Sequence, residues 1–268
     1  MVIPKIVGIL NISPESFSGD GLSDRPAILA RAKTMTEEGA DIIDIGAQST
    51  RPGAKELSAE EEIARLKGLI AEIRRASPRV SISIDTTKSE VAALAIEEGA
   101  DMVNDISGAR FDGKILAAIK EKKIKYVLMH SQGSFADMHK EYVYDAGIVQ
   151  EVRQYFIRRI QACLDAGLSS EQVILDPGFG FSKNAEQNAE LLRGLGGLRD
   201  LGHEIYIGLS RKRFIGTITG EAAADRRDNG TTAAHMLAME RGVEYIRTHN
   251  VVFLKQAIDV MKAVSISK

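Results

Sequence analysis

A helix-ending glycine, a short β-branched run and a carboxylate at the end of that run occur together in Glu38-Gly39-Ala40-Asp41-Ile42-Ile43-Asp44-Ile45-Gly46-Ala47-Gln48-Ser49-Thr50-Arg51-Pro52-Gly53-Ala54. That order is expected of a helix C-cap, a buried parallel strand and a loop at the strand's C-terminal end. The phrase returns as Glu98-Gly99-Ala100-Asp101-Met102-Val103-Asn104-Asp105 and as Arg241-Gly242-Val243-Glu244-Tyr245-Ile246-Arg247-Thr248-His249. Each copy delivers a polar or charged group where its strand ends. Such a repeated unit predicts a ring of βα units.

The rest of the chain follows the same alternation. Apolar runs suited to strands lie at Ile6–Asn11, Asp41–Gly46, Val80–Asp85, Met102–Ile106, Lys125–His130, Val173–Asp176, Glu204–Leu209 and Tyr245–Thr248. Helical patterns lie at Arg25–Glu38, Ser58–Ala76, Ser89–Glu98, Asp112–Lys122, Gly147–Ala166, Ala185–Leu201, Thr231–Arg241 and Val252–Val264. Ser58 with Glu61 forms a capping-box pattern. Eight alternating units in 268 residues predict one α/β domain, a single (β/α)8 barrel over residues 1–268. An open doubly wound sheet is the competing architecture, but such sheets usually carry fewer strands.

Composition narrows the function. A net charge of −2 gives no basic surface for nucleic acid or an anionic membrane. The run Ile6–Leu10 is too short for a secretory h-region or a membrane span. Cys163, the single cysteine, forms no internal disulfide and fits a reducing cytoplasm; its helical pattern suggests a buried thiol.

In a barrel, strand C-termini face one rim, where active sites are built. The groups arriving there are Asn11, Asp44, Asp85, Asn104 with Asp105, His130, Asp176, the run Ser210-Arg211-Lys212, and Arg247 with His249. So many polar strand ends are not expected of a structural barrel, because buried charge is costly. Asp44, Asp85 and Asp176 suit either a divalent metal or a donor-rich, guanidine-like heterocycle. The histidines are dispersed and do not suggest zinc. Arg51, Lys212, Arg247 and His249 supply positive charge, partly after strands seven and eight, a frequent phosphate position in this fold. Gly178 and Gly180 permit a tight turn beside a ligand, without a dinucleotide or P-loop spacing. The polar loop from Asn11 to Gly21 is a candidate substrate cover.

Taken together, these segments resemble the bacterial dihydropteroate synthase family. The resemblance is carried by Gly8-Ile9-Leu10-Asn11-Ile12-Ser13-Pro14-Glu15-Ser16-Phe17-Ser18, Asp44–Ala54, Ser83-Ile84-Asp85-Thr86 and Asn104-Asp105-Ile106-Ser107-Gly108. It continues through Met129-His130, Asp176-Pro177-Gly178-Phe179-Gly180-Phe181, Ser210-Arg211-Lys212 and Arg247-Thr248-His249. These stretches keep the family's order over nearly the whole chain. The resemblance implies a homodimeric (β/α)8 enzyme that joins p-aminobenzoate to 6-hydroxymethyl-7,8-dihydropterin diphosphate and releases diphosphate.

The same resemblance implies roles. Asp85, Asn104, Asp105, Met129, Asp176, Phe181 and Lys212 would hold the pterin. Asn11, Arg51, Arg247 and His249 would hold the diphosphate, with Mg2+ near Asn11. Phe17, Thr50, Arg51, Pro52, Ser210, Lys212 and Arg213 would form the aminobenzoate pocket, and Asp44 would support the site. Catalysis would fall to Asp85, Asp176, Lys212 and Arg51. Residues 12–22 and 48–57, poor in apolar anchors, are expected to order only with diphosphate bound, so that sulfonamides compete with aminobenzoate in the closed state. Gln48, Ser131 and Asn250 depart from the family's common pattern. Two alternatives are a methyltetrahydrofolate-dependent methyltransferase and a non-catalytic pterin-binding relative. The first would not need Asn11, Arg51, Arg247 and His249 together, and the second would be expected to lose Arg51, Lys212 or the first loop.

Overall fold

The structure, a computed structural model, describes residues 2–12, 24–50, 53–120, 122 and 124–265. Its strands are β1 Lys5–Asn11, β2 Ile42–Gly46, β3 Ser81–Asp85, β4 Met102–Asp105, β5 Lys125–Met129, β6 Val173–Asp176, β7 Glu204–Gly208 and β8 Tyr245–Thr248. All are parallel and hydrogen-bonded in chain order. Pairing of β1 with β8, from Lys5 opposite Tyr245 to Gly8 opposite Thr248, closes the ring and decides for the barrel over the open sheet.

The helices are α1 Arg25–Glu37, α2 Ala59–Leu66, α3 Leu69–Ala76, α4 Ser89–Glu97, α5 Ile115–Lys120, α6 Ile148–Asp165, α7 Ala185–Arg193, α8 Arg213–Thr219, α9 Asp228–Glu240 and α10 Val251–Ser265. The single helix expected over 58–76 is two, because Gly68 takes a left-handed conformation (φ +76°) between α2 and α3. The pattern over 185–201 likewise divides into α7 and a 3-10 segment, Leu195–Leu201. Helix α8 has no counterpart in the sequence reading. It is one short segment rich in β-branched residues and glycine, with weak intrinsic helicity. The capping box is present: Ser58 N–H donates to Glu61 Oε2 at 2.7 Å and Glu61 N–H to Ser58 Oγ at 3.2 Å.

The repeated phrase has one physical basis in all three copies. Gly39, Gly99 and Gly242 are left-handed, at φ +104°, +107° and +80°, and end α1, α4 and α9. The carboxylate two residues on accepts a backbone N–H from the neighbouring strand. Ile6 donates to Asp41 Oδ2 at 2.8 Å, Ile82 to Asp101 Oδ2 at 2.8 Å, and Ile205 to Glu244 Oε2 at 2.7 Å. Each copy therefore stops a helix and ties two strands at the N-terminal end of the barrel.

Side chains alternate across each strand. Outward residues such as Ile43, Ile84, Leu175 and Ile246 pack with helix residues such as Ile70, Val91 and Phe156 into the main core. Inward residues Val7, Ile42, Met102, Val127, Ile174, Tyr206 and Tyr245 form a separate apolar plug. That plug is the floor of the site. Cys163 is buried on α6, and burial pushes its thiol up to about 12, so it is an inert packing residue.

Candidate active site at the C-terminal rim

Two residues beyond the floor, on the same inward face, stand Asp44 after Ile42, Asn104 after Met102, Met129 after Val127, Asp176 after Ile174 and Arg247 after Tyr245. Asp85 lies in register with Gly46 and with Asn104. The period of two thus puts a polar group one step above the apolar layer on four of these strands, with Met129 the apolar exception.

Arg247 organises this layer. Its Nε donates to Asp44 Oδ2 at 2.6 Å and its Nη2 to Asp85 Oδ2 at 2.9 Å. Asn104 Nδ2 donates to the same Asp44 oxygen at 3.2 Å. Among the described residues, buried Asp44 Oδ1, Asn104 Oδ1, Ser83 Oγ and Tyr206 Oη have no hydrogen-bond partner. The unpartnered Asp44 and Asn104 oxygens, which only accept, favour a ligand rich in N–H donors.

Asp176 ends β6, and its Oδ1 accepts the Gly178 N–H at 2.8 Å. Burial pushes its pKa up to about 6, against the Gly178 bond and the Lys212 charge. Burial also pushes Asp85 up, to about 7, against the Arg247 charge. Lys212 is pushed down to about 8 by burial and then by Arg247. Its Nζ sits 4.1 Å from the centre of the Phe181 ring. Phe181 packs with Met129, Ile106 and Met138, and stacks on His139 at 5.1 Å. His139 Nε2 meets the Thr50 carbonyl at 2.5 Å, so the segment after β2 touches the one after β5.

The loop between Asp176 and Phe181 needs its glycines. Gly178 has φ +70°, and a Cβ there would lie 2.0 Å from the His130 carbonyl oxygen. A Cβ on Gly180, at φ +76°, would lie 2.8 Å from Lys212 Cδ. The close approach places the Lys212 stem along the loop.

Several residues expected at the rim stand elsewhere. Asp105 follows the inward Asn104 and faces the helices. It accepts from Tyr126 Oη at 2.8 Å, Ser107 N–H at 2.8 Å and Ala109 N–H at 2.6 Å. Asp105 is thus a structural carboxylate that shapes the β4 loop, not a neighbour of Asp85. His130 faces outward by the same parity, edge-on to Tyr155 at 4.8 Å. Arg211, at φ +59°, turns to Asp228 with Nε at 2.7 Å and Nη2 at 2.9 Å. Arg213 is exposed at the start of α8. Ser210 is buried, and its Oγ meets His249 Nδ1 at 2.9 Å. Phe17, Arg51, Pro52 and most of 12–22 lie outside the described residues.

Sequence reasoning missed Lys183 and His139. Lys183 is buried against the loop that carries Phe181. A lysine directly after an aromatic- and glycine-rich turn was its available signal.

No group of three metal-ligating side chains occurs among the described residues. A Cβ on Gly46 would lie 3.6 Å from Asn11 Oδ1 and 3.8 Å from Asp85 Oδ2, so these oxygens flank one point. Mg2+ keeps several waters and takes its remaining ligands from substrate phosphates, which a single protein amide suits.

Residues 7–249 match the family model described as pterin binding enzyme. A dihydropteroate synthase of Synechocystis sp. is 43% identical over 96% of this chain and 89% of its own length. The Xanthomonas albilineans dihydropteroate synthase structure with 4-aminobenzoic acid superposes with a TM-score of 0.90 at 37% identity, covering 99% of this chain and 94% of that one. The Anaplasma phagocytophilum dihydropteroate synthase with bound 6-hydroxymethylpterin-monophosphate gives 0.89 at 31% identity, covering 98% and 100%. With its closed barrel and its buried acceptor layer, the chain belongs to the dihydropteroate synthases of the pterin-binding enzyme family.

Proposed function

We propose that this transferase seats the pterin ring of 6-hydroxymethyl-7,8-dihydropterin diphosphate on the barrel floor and joins its methylene carbon to the amine of p-aminobenzoate. The C–O bond to diphosphate breaks, the C–N bond forms, and the amine proton passes to solvent. The observation that carries the seat is the layer of buried Asn104 and Asp176 and partly buried Asp85 beside Lys212 and Phe181. Ionised Asp85 and Asp176 accept ring N–H groups and match the positive charge that develops on the pterin as the C–O bond lengthens. Met129 and Phe181 pack on the ring. The amine of p-aminobenzoate is the nucleophile, so no enzyme nucleophile is required.

Asn11, Arg51, Arg247 and His249 face the diphosphate in this reading. Arg247 commits Nε and Nη2 to carboxylates, and its remaining N–H donors are left for phosphate oxygens. Mg2+, held by Asn11 and the substrate's own oxygens, would offset the leaving charge. Phe17, Thr50, Arg51, Pro52, Ser210, Lys212 and Arg213 border the aminobenzoate. Asp44 supports the site by holding Arg247 and Asn104. Asp105 has no place in the pterin seat.

A cytoplasmic homodimer fits this reading. Ile218 on α8, Leu237 on α9 and Phe253 on α10 are exposed apolar residues on successive, mutually packed helices, which supports association with a second copy. No described helix is long and apolar enough to cross a membrane.

The deciding experiment is diphosphate release with both substrates present. Asp176→Asn keeps an oxygen for the Gly178 N–H but loses the carboxylate charge. It should retain the fold and lower pterin affinity and turnover by at least about tenfold. No diphosphate release by the wild type, or wild-type kinetics in the variant, would overturn the assignment.

A further inference from the structure

Lys183 Nζ sits among three acceptors: the Gly178 carbonyl at 2.9 Å, the Phe181 carbonyl at 3.0 Å and His130 Nδ1 at 3.0 Å. The residue is only 7% exposed. An ammonium carries three N–H donors and no acceptor, so the cage matches the charged form. Burial pushes Lys183 down to about 7, and the Asp176 charge opposes that shift. With Lys183 donating, His130 Nδ1 accepts and the ring proton stands on Nε2. Burial, then Lys183 and Arg110, hold this imidazole neutral, well below its ordinary pKa.

The cage stands beside Asp176 without including it. Its members adjoin Asp176 on two sides: Gly178 N–H donates to Asp176 Oδ1 at 2.8 Å, and His130 N–H donates to the Asp176 carbonyl at 2.9 Å. The loop it grips is costly to hold. Gly178, Gly180 and Ser182 are all left-handed, and Ser182, at φ +55°, has a Cβ. Such a residue is strained and persists only where its surroundings fix it. Part of that fixing comes from Ser182 N–H on the Met138 carbonyl at 2.8 Å and Tyr144 Oη on the Ser182 carbonyl at 2.9 Å. Lys183 adds a single charged group that spans the loop from Gly178 to Phe181 and anchors it to the end of β5.

We infer that Lys183 is a positioning residue for the pterin site. Its buried ammonium fixes the 178–181 backbone against His130, which keeps the Phe181 ring, the Asp176 carboxylate and Lys212 in register. The inference rests on the pterin reading of the site and adds a residue that touches no substrate.

The test compares Lys183→Met with the wild type. The dissociation constant of 6-hydroxymethylpterin is measured directly, and the KM of p-aminobenzoate at saturating pterin diphosphate. Loss of one charge-assisted anchor should raise the pterin constant about tenfold and leave the p-aminobenzoate KM within about twofold. A folded variant whose pterin constant stays within about twofold overturns the inference. Equal losses for both substrates also overturn it, because they mark a general structural role. A second measurement needs no substitution. 15N NMR of the wild-type histidines at about pH 6 should show His130 with an unprotonated Nδ1 and a protonated Nε2. A proton on Nδ1 would overturn the cage. Failure of the wild type to bind the pterin at all would overturn the functional reading instead, and is seen before any variant is made.

Discussion

Arg247 Nε lies 2.6 Å from Asp44 Oδ2, joining β8 to β2 across the mouth of the barrel. Asp44 is fully buried, and Arg247 also holds Asp85 at 2.9 Å. Desolvation offsets much of the attraction in such a cluster, so its worth appears when one partner is removed. Arg247→Met should lower the unfolding free energy by about 3–5 kcal/mol, read by urea denaturation, because it strands the fully buried Asp44 carboxylate and the partly buried Asp85. Adding Asp44→Asn should recover part of that loss. A loss under about 1 kcal/mol would mean that water, not the guanidinium, solvates Asp44.

The rim should show a characteristic pH response. Asp176 and Asp85 are raised from 3.8 to about 6 and about 7, chiefly by burial. A raised carboxylate pKa means that the folded state holds the proton more tightly. The stability this contributes is complete below 3.8 and is lost as pH rises through about 6 and about 7. Lys212, lowered from 10.5 to about 8, contributes stability above 10.5 that is lost as pH falls through about 8. Buried His130 and His235, held neutral, titrate with the opposite slope, so the reading is a difference: between about pH 4 and 7 the melting temperature of the unliganded wild type should fall relative to that of Asp176→Asn. Function runs the other way, because the carboxylates must be ionised and Lys212 charged. kcat/KM for the pterin diphosphate should rise through about 6–7 and fall near about 8, as apparent values of the coupled set. A flat profile over that range would remove these groups from the rate-determining complex.

Gly178 separates steric from conformational cost. At φ +70°, its missing Cβ would lie 2.0 Å from the His130 carbonyl oxygen, a backbone atom that cannot move alone. Gly202 is equally left-handed, at φ +77°, with nothing within 4 Å of its virtual Cβ. Gly202→Ala should cost about 1–2 kcal/mol from backbone strain. Gly178→Ala should cost roughly 1–3 kcal/mol more through overpacking, and should weaken pterin binding, which Gly202→Ala should not. Calorimetric unfolding of both variants is the measurement; equal losses would contradict the contact.

Sulfonamides mimic p-aminobenzoate, so they should inhibit in competition with it. If the aminobenzoate pocket forms only after the pterin half is filled, diphosphate with Mg2+ should tighten sulfonamide binding severalfold or more. Titration calorimetry with and without those ligands decides the point. Equal affinity in both conditions would show a preformed pocket and refute ordered binding.

Much of the molecule was legible in local sequence. Strand positions followed from short Ile/Val runs, and the ring followed from a phrase whose three glycines all adopt the left-handed turn the pattern implied. The split at Gly68 and the short α8 were missed because each depends on where packing makes a weak helix end or form. Membership of Asp44, Asp85, Asn104, Asp176 and Arg247 in one rim was readable because each is the last residue of its strand or stands within two residues of it.

What the sequence by itself determined was therefore the order of strands and helices and the end of the barrel at which chemistry collects, since both rest on contacts between near neighbours. The face each rim residue uses was decided by tertiary structure. Asn104 turns inward and Asp105 outward because strand register, set by pairing with β3 and β5, fixes the parity of every side chain. The pairing of Asp44 with Arg247, 203 residues away, and the cage around Lys183 likewise arise only once folding removes those charges from water. Burial then makes partner choice strong, and no local pattern encodes which partner will be near.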